Sequence, residues 1–151
     1  MISKIRCVPS PYRKSGDALA ADLRSQRIAL VLMHQPDGSV LNYVLGACER
    51  LQACLDVLTD LPIQQVAQAI GAAWGIAAIP WQVMPIAGAG IDALIDYSRQ
   101  EHGLLFFVSG TGDRDAQRLR REWLSREYRV NTPWVVVENR PPDELAASRP
   151  L

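Results

Sequence analysis

Leu104-Leu105-Phe106-Phe107-Val108-Ser109-Gly110-Thr111-Gly112 is the stretch on which the fold reading turns. A short, unbroken apolar run that ends in a glycine turn reads as a strand buried on both faces, as in a parallel sheet. Glycines directly after such a strand let backbone N–H groups converge at the start of the next helix, an arrangement that holds phosphates. Asp113 follows at once and brings a negative charge to the place an anion would take. An Arg-rich helical stretch comes next, from about Arg114 to Tyr128.

Outward from this strand the same alternation repeats. Upstream, Arg27–Met33 is an apolar strand, His34–Ser39 a loop, and Val40–Gln52 a helix capped by Asp37 or Ser39. Its apolar face is Leu41, Val44, Leu45, Cys48 and Leu51. Leu55–Thr59 is a second strand. Pro62 opens a helix whose inward residues are Ile63, Val66, Ala67, Ile70 and Trp74, with Gly75 as its stop. Trp81–Ile86 is a third strand, and Gly88-Ala89-Gly90 leads into a helix with Ile91, Leu94, Ile95 and Ser98 inward. Downstream, Trp134-Val135-Val136-Val137 closes the series. Strands alternating with helices at this spacing predict right-handed βαβ units and a mostly parallel sheet in a three-layer α/β/α domain. Ligands in such sheets bind beyond the carboxyl ends of the strands at the switch point. His34–Ser39 and Ser109–Asp113 are therefore the loops of interest.

Composition bounds the alternatives. The chain of 151 residues is 48% hydrophobic and 21% charged, which suits one globular domain. Sixteen basic residues balance sixteen acidic ones, so no global field draws the protein to nucleic acid or an anionic membrane. No apolar run is long enough to span a bilayer, and the basic N-terminus lacks the apolar core of a signal peptide. Cys7, Cys48 and Cys54 show no CxxC spacing; Cys48 and Cys54 fall on a helix and at the following turn, and a cytoplasmic location is expected. Residues 1–26 read as an N-terminal extension, residues 27–138 as the domain, and residues 139–151 as a flexible, Pro-rich tail.

The order and spacing resemble the universal stress protein family over about residues 27–138. The resemblance is carried by Gln82-Val83-Met84-Pro85-Ile86-Ala87-Gly88, then Ile91-Asp92-Ala93-Leu94-Ile95-Asp96-Tyr97, then the Leu104–Gly112 strand and turn, then Thr132-Pro133-Trp134-Val135-Val136-Val137. It implies a five-stranded, flavodoxin-like fold for residues 27–138, and a homodimer paired along Trp134, Val135, Val136 and Val137. Some members of the family bind ATP through an Asp after the first strand and a G-x2-G-x9-G-(S/T) signature after the fourth. On this chain Gly112 fits the second glycine and Ser109 the first position, while the final pair falls on Glu122-Trp123, or on Arg120-Arg121 in a shorter register. His34 stands where the Asp would be, with Asp37 three residues on.

Each motif has a plainer use beside its chemical one. Ser109, Gly110, Thr111 and Gly112 form either an anion nest or a tight turn that seats the helix, with Asp113 complementing its dipole. His34 and Asp37 form either a proton-transfer or ligand-contacting pair or a solvated loop with an Asp37-Gly38 turn. Arg114, Arg118, Arg120, Arg121 and Arg126 alternate with acidic residues and read as a salt-bridged, solvated face. Trp123 fills the core or the cleft. An apolar final strand at a sheet edge needs a partner, either a second copy or residues 1–26. No nucleophile–base–orienter set, metal spacing or Walker loop is present. The expected function is a non-catalytic regulatory or stress-response domain without a cofactor, acting through dimerisation and protein contacts. The alternative is an adenine-nucleotide (ATP or AMP) or other anion sensor at the carboxyl ends of strands 1 and 4.

Overall fold

Apolar runs of four to seven residues form the strands: β1 (Arg27–Leu32), β2 (Cys54–Thr59), β3 (Trp81–Pro85), β4 (Leu104–Gly110) and β5 (Trp134–Val137). Between them lie α1 (Gly38–Leu51), α2 (Ile63–Trp74), α3 (Gly90–Gln100) and α4 (Arg114–Ser125). The computed structural model describes residues 26–75, 79–86, 90–126 and 132–138. Residues 1–25 of the N-terminal extension, the tail, Gly88-Ala89 and the end of the last helix at Tyr128 lie outside the described residues.

The five strands are all parallel, in the order β3-β2-β1-β4-β5. Successive side chains alternate between two helical layers, which is why the strands read as continuous apolar runs. On one face Ile28, Leu30, Leu55, Val57, Val83 and Val108 pack against Val44 and Cys48 of α1 and Val66, Ile70 and Trp74 of α2. On the other, Ala29, Val31, Leu58, Met84 and Phe107 pack against Leu94 and Tyr97 of α3 and Ala116, Leu119 and Trp123 of α4. Where β1 meets β4 the register shifts: Arg27 lies opposite Leu104, and Ile28 opposite Phe106. Leu105 is the extra residue, and both Leu105 and Phe106 lean on the α1/α2 core.

The helix boundaries follow capping chemistry. Asp37 caps α1, accepting the Val40 N–H at 3.0 Å, so Asp37-Gly38 is the entry to the helix rather than a free turn. Gly75 ends α2 with φ of 57°, as expected. Three details differ from the sequence reading. Leu51, the last residue of α1, is 44% exposed although it continues the stripe of Ala47 and Cys48. On α3 Tyr97 is fully buried, as Leu94 is, while Ser98 beside it is only half-buried. Cys54 begins β2 and is buried in it.

The strand order reverses between β1 and β4, which makes the crevice beyond Leu32 and Gly110 the switch point.

Candidate functional site

A cleft of about 90 Å³ opens at this switch point, lined by Leu32, His34, Gln35, Pro36, Asp37, Val40, Gly110, Gly112 and Asp113. Four of the residues singled out by sequence thus meet there: His34, Asp37, Gly110 and Gly112. The other two do not. The Ser109 side chain is turned into the opposite core, where its Oγ accepts the Trp134 Nε1–H at 2.9 Å. Thr111 is exposed, and its N–H donates to the Val137 carbonyl at 2.9 Å.

Gly110 allows α1 to approach the sheet. A Cβ there would lie 2.7 Å from Val40 Cγ2, closer than two carbons can pack. The glycine is therefore needed for the contact between β4 and the start of α1, whatever the cleft holds.

Asp113 closes the cleft from the other side. Its Oδ1 accepts the Ala116 N–H at 3.0 Å, capping α4. Its Oδ2 accepts the Met33 N–H at 2.7 Å and the His34 N–H at 3.1 Å. One carboxylate, 8% exposed, thereby takes backbone donors from both the end of β1 and the start of α4. That is how an anion sits at a helix N-terminus, and here the anion is a side chain.

His34 and Asp37 do not pair. His34 Nε2 lies 2.9 Å from Asp115 Oδ2, while Asp37 is committed to its cap. The cleft is thus lined by two carboxylates, Asp37 and Asp113, and its His34 is paired with a third, Asp115. Drug-sized ligands occupy pockets of about 300–1,000 Å³, well above the 90 Å³ available. Trp123 takes no part in filling it: its ring is 1% exposed in the opposite core, edge-on to Phe107 at 4.6 Å, with Nε1–H donating to the Thr132 carbonyl at 3.2 Å.

The Arg-rich helix is only partly salt-bridged. Arg118 meets Asp115 at 3.5 Å and Arg126 meets Asp92 of α3 at 3.6 Å. Arg114, Arg120 and Arg121 make no ion pair among the described residues.

A polar cluster at the amino end of the sheet was not found from sequence. Asp56, wholly buried on β2, accepts two hydrogen bonds from Arg27 (Nε and Nη2, both 2.7 Å), one from Gln82 Nε2 at 2.7 Å and one from Tyr97 Oη at 2.5 Å. Burial alone would lower the pKa of Arg27, but the hydrogen bond and charge of Asp56 outweigh it and hold the guanidinium charged. Burial, reinforced by the Asp56 charge, pushes the Tyr97 phenol well above its usual value. Its only signal in the sequence was a carboxylate in the middle of an apolar strand. Among the described residues no buried polar atom of the cluster lacks a hydrogen-bond partner, which suits a structural role.

No protein-family model and no curated protein matches the chain. A solved structure of a universal stress protein in complex with cAMP resembles it with a TM-score of 0.53 and 17% identity, over 76% of this chain and 98% of that one. The five-stranded parallel sheet between two helical layers is therefore a universal-stress-protein-like fold.

Proposed function

We propose that this chain is a non-catalytic, universal-stress-protein-like regulatory or stress-response domain. It acts through protein contacts, including a homodimer paired along β5, and its own side chains close its nucleotide cleft. The observation that carries this reading is Asp113. Its carboxylate already takes the Met33, His34 and Ala116 N–H groups, the donors an anionic ligand would need. A phosphate entering the cleft would have to displace that carboxylate and sit beside Asp37 and Asp113. Cys48 and Cys54 are both buried, and a reducing, cytoplasmic setting suits cysteines in such positions.

A second reading, an adenine-nucleotide or other anion sensor, draws on two observations. Gly110 and Gly112 keep backbone at the cleft, and the similar universal stress protein is in complex with cAMP. Melting curves with millimolar ATP, AMP and cAMP separate the two, because a ligand that binds the native state must stabilise it. No shift is expected. A rise of several degrees with any of the three would replace the first reading by the second. For the homodimer, light scattering should give twice the chain mass for the wild type and a single chain mass for Val136→Lys. A mass unaltered by that substitution rejects pairing along β5.

A further inference from the structure

Much of the cleft wall at the switch point is one short loop, the connection from β1 to α1, which contributes His34, Gln35, Pro36 and Asp37. Both ends of this loop are fixed. At the β1 end the Thr59 hydroxyl donates to the Leu32 carbonyl at 2.6 Å, and the Met33 N–H donates to Asp113 at 2.7 Å. At the α1 end the Asp37 carboxylate caps the helix, and the Asp37 carbonyl accepts the Leu41 N–H at 3.3 Å.

Between these fixed ends the loop is held by side chains that come from both sides of the sheet. The His34 N–H makes the longer of the two bonds to Asp113 Oδ2, at 3.1 Å. The His34 ring meets Asp115 of α4, in one helical layer. The Gln35 side-chain oxygen accepts from Gln65 Nε2 of α2, in the other layer. The loop therefore lies across the carboxyl end of the sheet, tied to a helix on each face. Both ties stand in solvent: the His34 side chain is 54% exposed and that of Asp115 43%, and the Gln35–Gln65 bond is exposed too. Contacts of this kind hold weakly against water.

A cleft of about 90 Å³ is too small for the ligands such pockets hold, so entry needs a wall that yields. The wall made by Gly110 and Val40 is sheet against helix and already in close contact. The loop is the wall with weak ties. We propose that His34-Gln35-Pro36 is a strap that opens the cleft, hinged at Met33 and Asp37 and latched by the Asp115 and Gln65 side chains. This rests on the reading of a closed cleft and says how it opens. A protein contact that takes up Asp115 or Gln65 slackens the strap, so either helical layer can pass a binding event to the site.

The test follows amide hydrogen exchange by NMR in the full chain, with the latch residues changed and the loop itself left intact. Gln65→Ala and Asp115→Ala should each speed exchange of the His34 N–H about two- to fivefold, the effect of losing one exposed tie. The Met33 N–H, on the fixed side of the hinge, and the Leu30 N–H, in the sheet, should keep their rates. No rise at His34, or a rise shared by Met33 and Leu30, rejects the strap. Val40→Cys then puts a thiol in the cleft wall, where Val40 is 3% exposed, and alkylation of position 40 by iodoacetamide is read by mass spectrometry. Alkylation should be slow in the otherwise unaltered chain and should quicken in the latch variants by the factor seen at His34. Slow alkylation that the latch variants leave unchanged keeps the closed cleft and rejects the strap. Alkylation as fast as that of an exposed thiol, before any latch is removed, rejects the closed cleft itself.

Discussion

Two buried carboxylates sit at opposite ends of one sheet and do different work. Asp56, at the amino end, is met by side chains: a guanidinium with two bonds, an amide and a phenol. Asp113, at the carboxyl end, is met by backbone N–H groups alone, from β1 and from α4. The first is a charge neutralised by a partner charge, and losing it strands a buried cation. The second is an unneutralised charge held by peptide dipoles at the end where ligands enter this class of sheet. One end is closed for stability, while the other is closed where a site would be.

Asp56→Ala should have the largest effect. It leaves Arg27 without its counter-charge and Gln82 and Tyr97 without an acceptor, for a loss of about 3–5 kcal/mol in urea unfolding. A loss below about 1 kcal/mol would mean that water replaces the carboxylate and that the two ends are alike. Asp113→Ala should cost less, about 2–3 kcal/mol, as a lost helix cap plus two backbone donors returned to a partly solvated site. If it cost more than Asp56→Ala, the ranking of the two ends would be reversed.

Gly110→Ala tests how tightly the carboxyl end is closed. The added methyl meets Val40 Cγ2, and about 1–2 kcal/mol should be lost as overpacking. Val40→Ala in the same chain should recover most of it, and no recovery would place the strain elsewhere. The smallest effect concerns alkaline pH and the core near the amino end. Burial, with Cys54 and Asp56 adding, pushes the Cys48 thiol up to about 12 from an ordinary 9.0. The unfolded thiol loses its proton above pH 9 while the folded one keeps it, so stability is complete below pH 9 and falls between 9 and 12. By pH 10 the loss should be about 1.4 kcal/mol, and Cys48→Ala should remove this part of the slope.

The architecture was legible because burial on both faces writes itself into continuous apolar runs, and helix entries are marked by local caps such as Asp37. The site was legible only where its partners are close in sequence. Asp113 as a helix cap could be read from Asp113 and Ala116 alone. Its bonds to Met33 and His34 join positions 80 and 79 residues apart and depend on the sheet order, which no local pattern encodes. His34 likewise found Asp115 across the crevice instead of Asp37 beside it. Asp56 was visible as a polar residue in an apolar strand, which predicts that a partner must exist without saying which. Tyr97 was hidden for the opposite reason: a buried aromatic on an apolar stripe gives no sign that its hydroxyl is in use.

The extra residue in β4 gives this strand an uneven tolerance to changes in length. Leu105 has no opposite number on β1, and its neighbours Leu104 and Phe106 already stand against Arg27 and Ile28. A deletion of Leu105 would leave each of those neighbours on its present side of the sheet. A deletion between Phe107 and Gly110 would turn over every side chain on one side of the cut, carrying Phe107 out of its aromatic stack or the closing turn away from α1. The strand can therefore shorten at its amino end and must keep its count at the other.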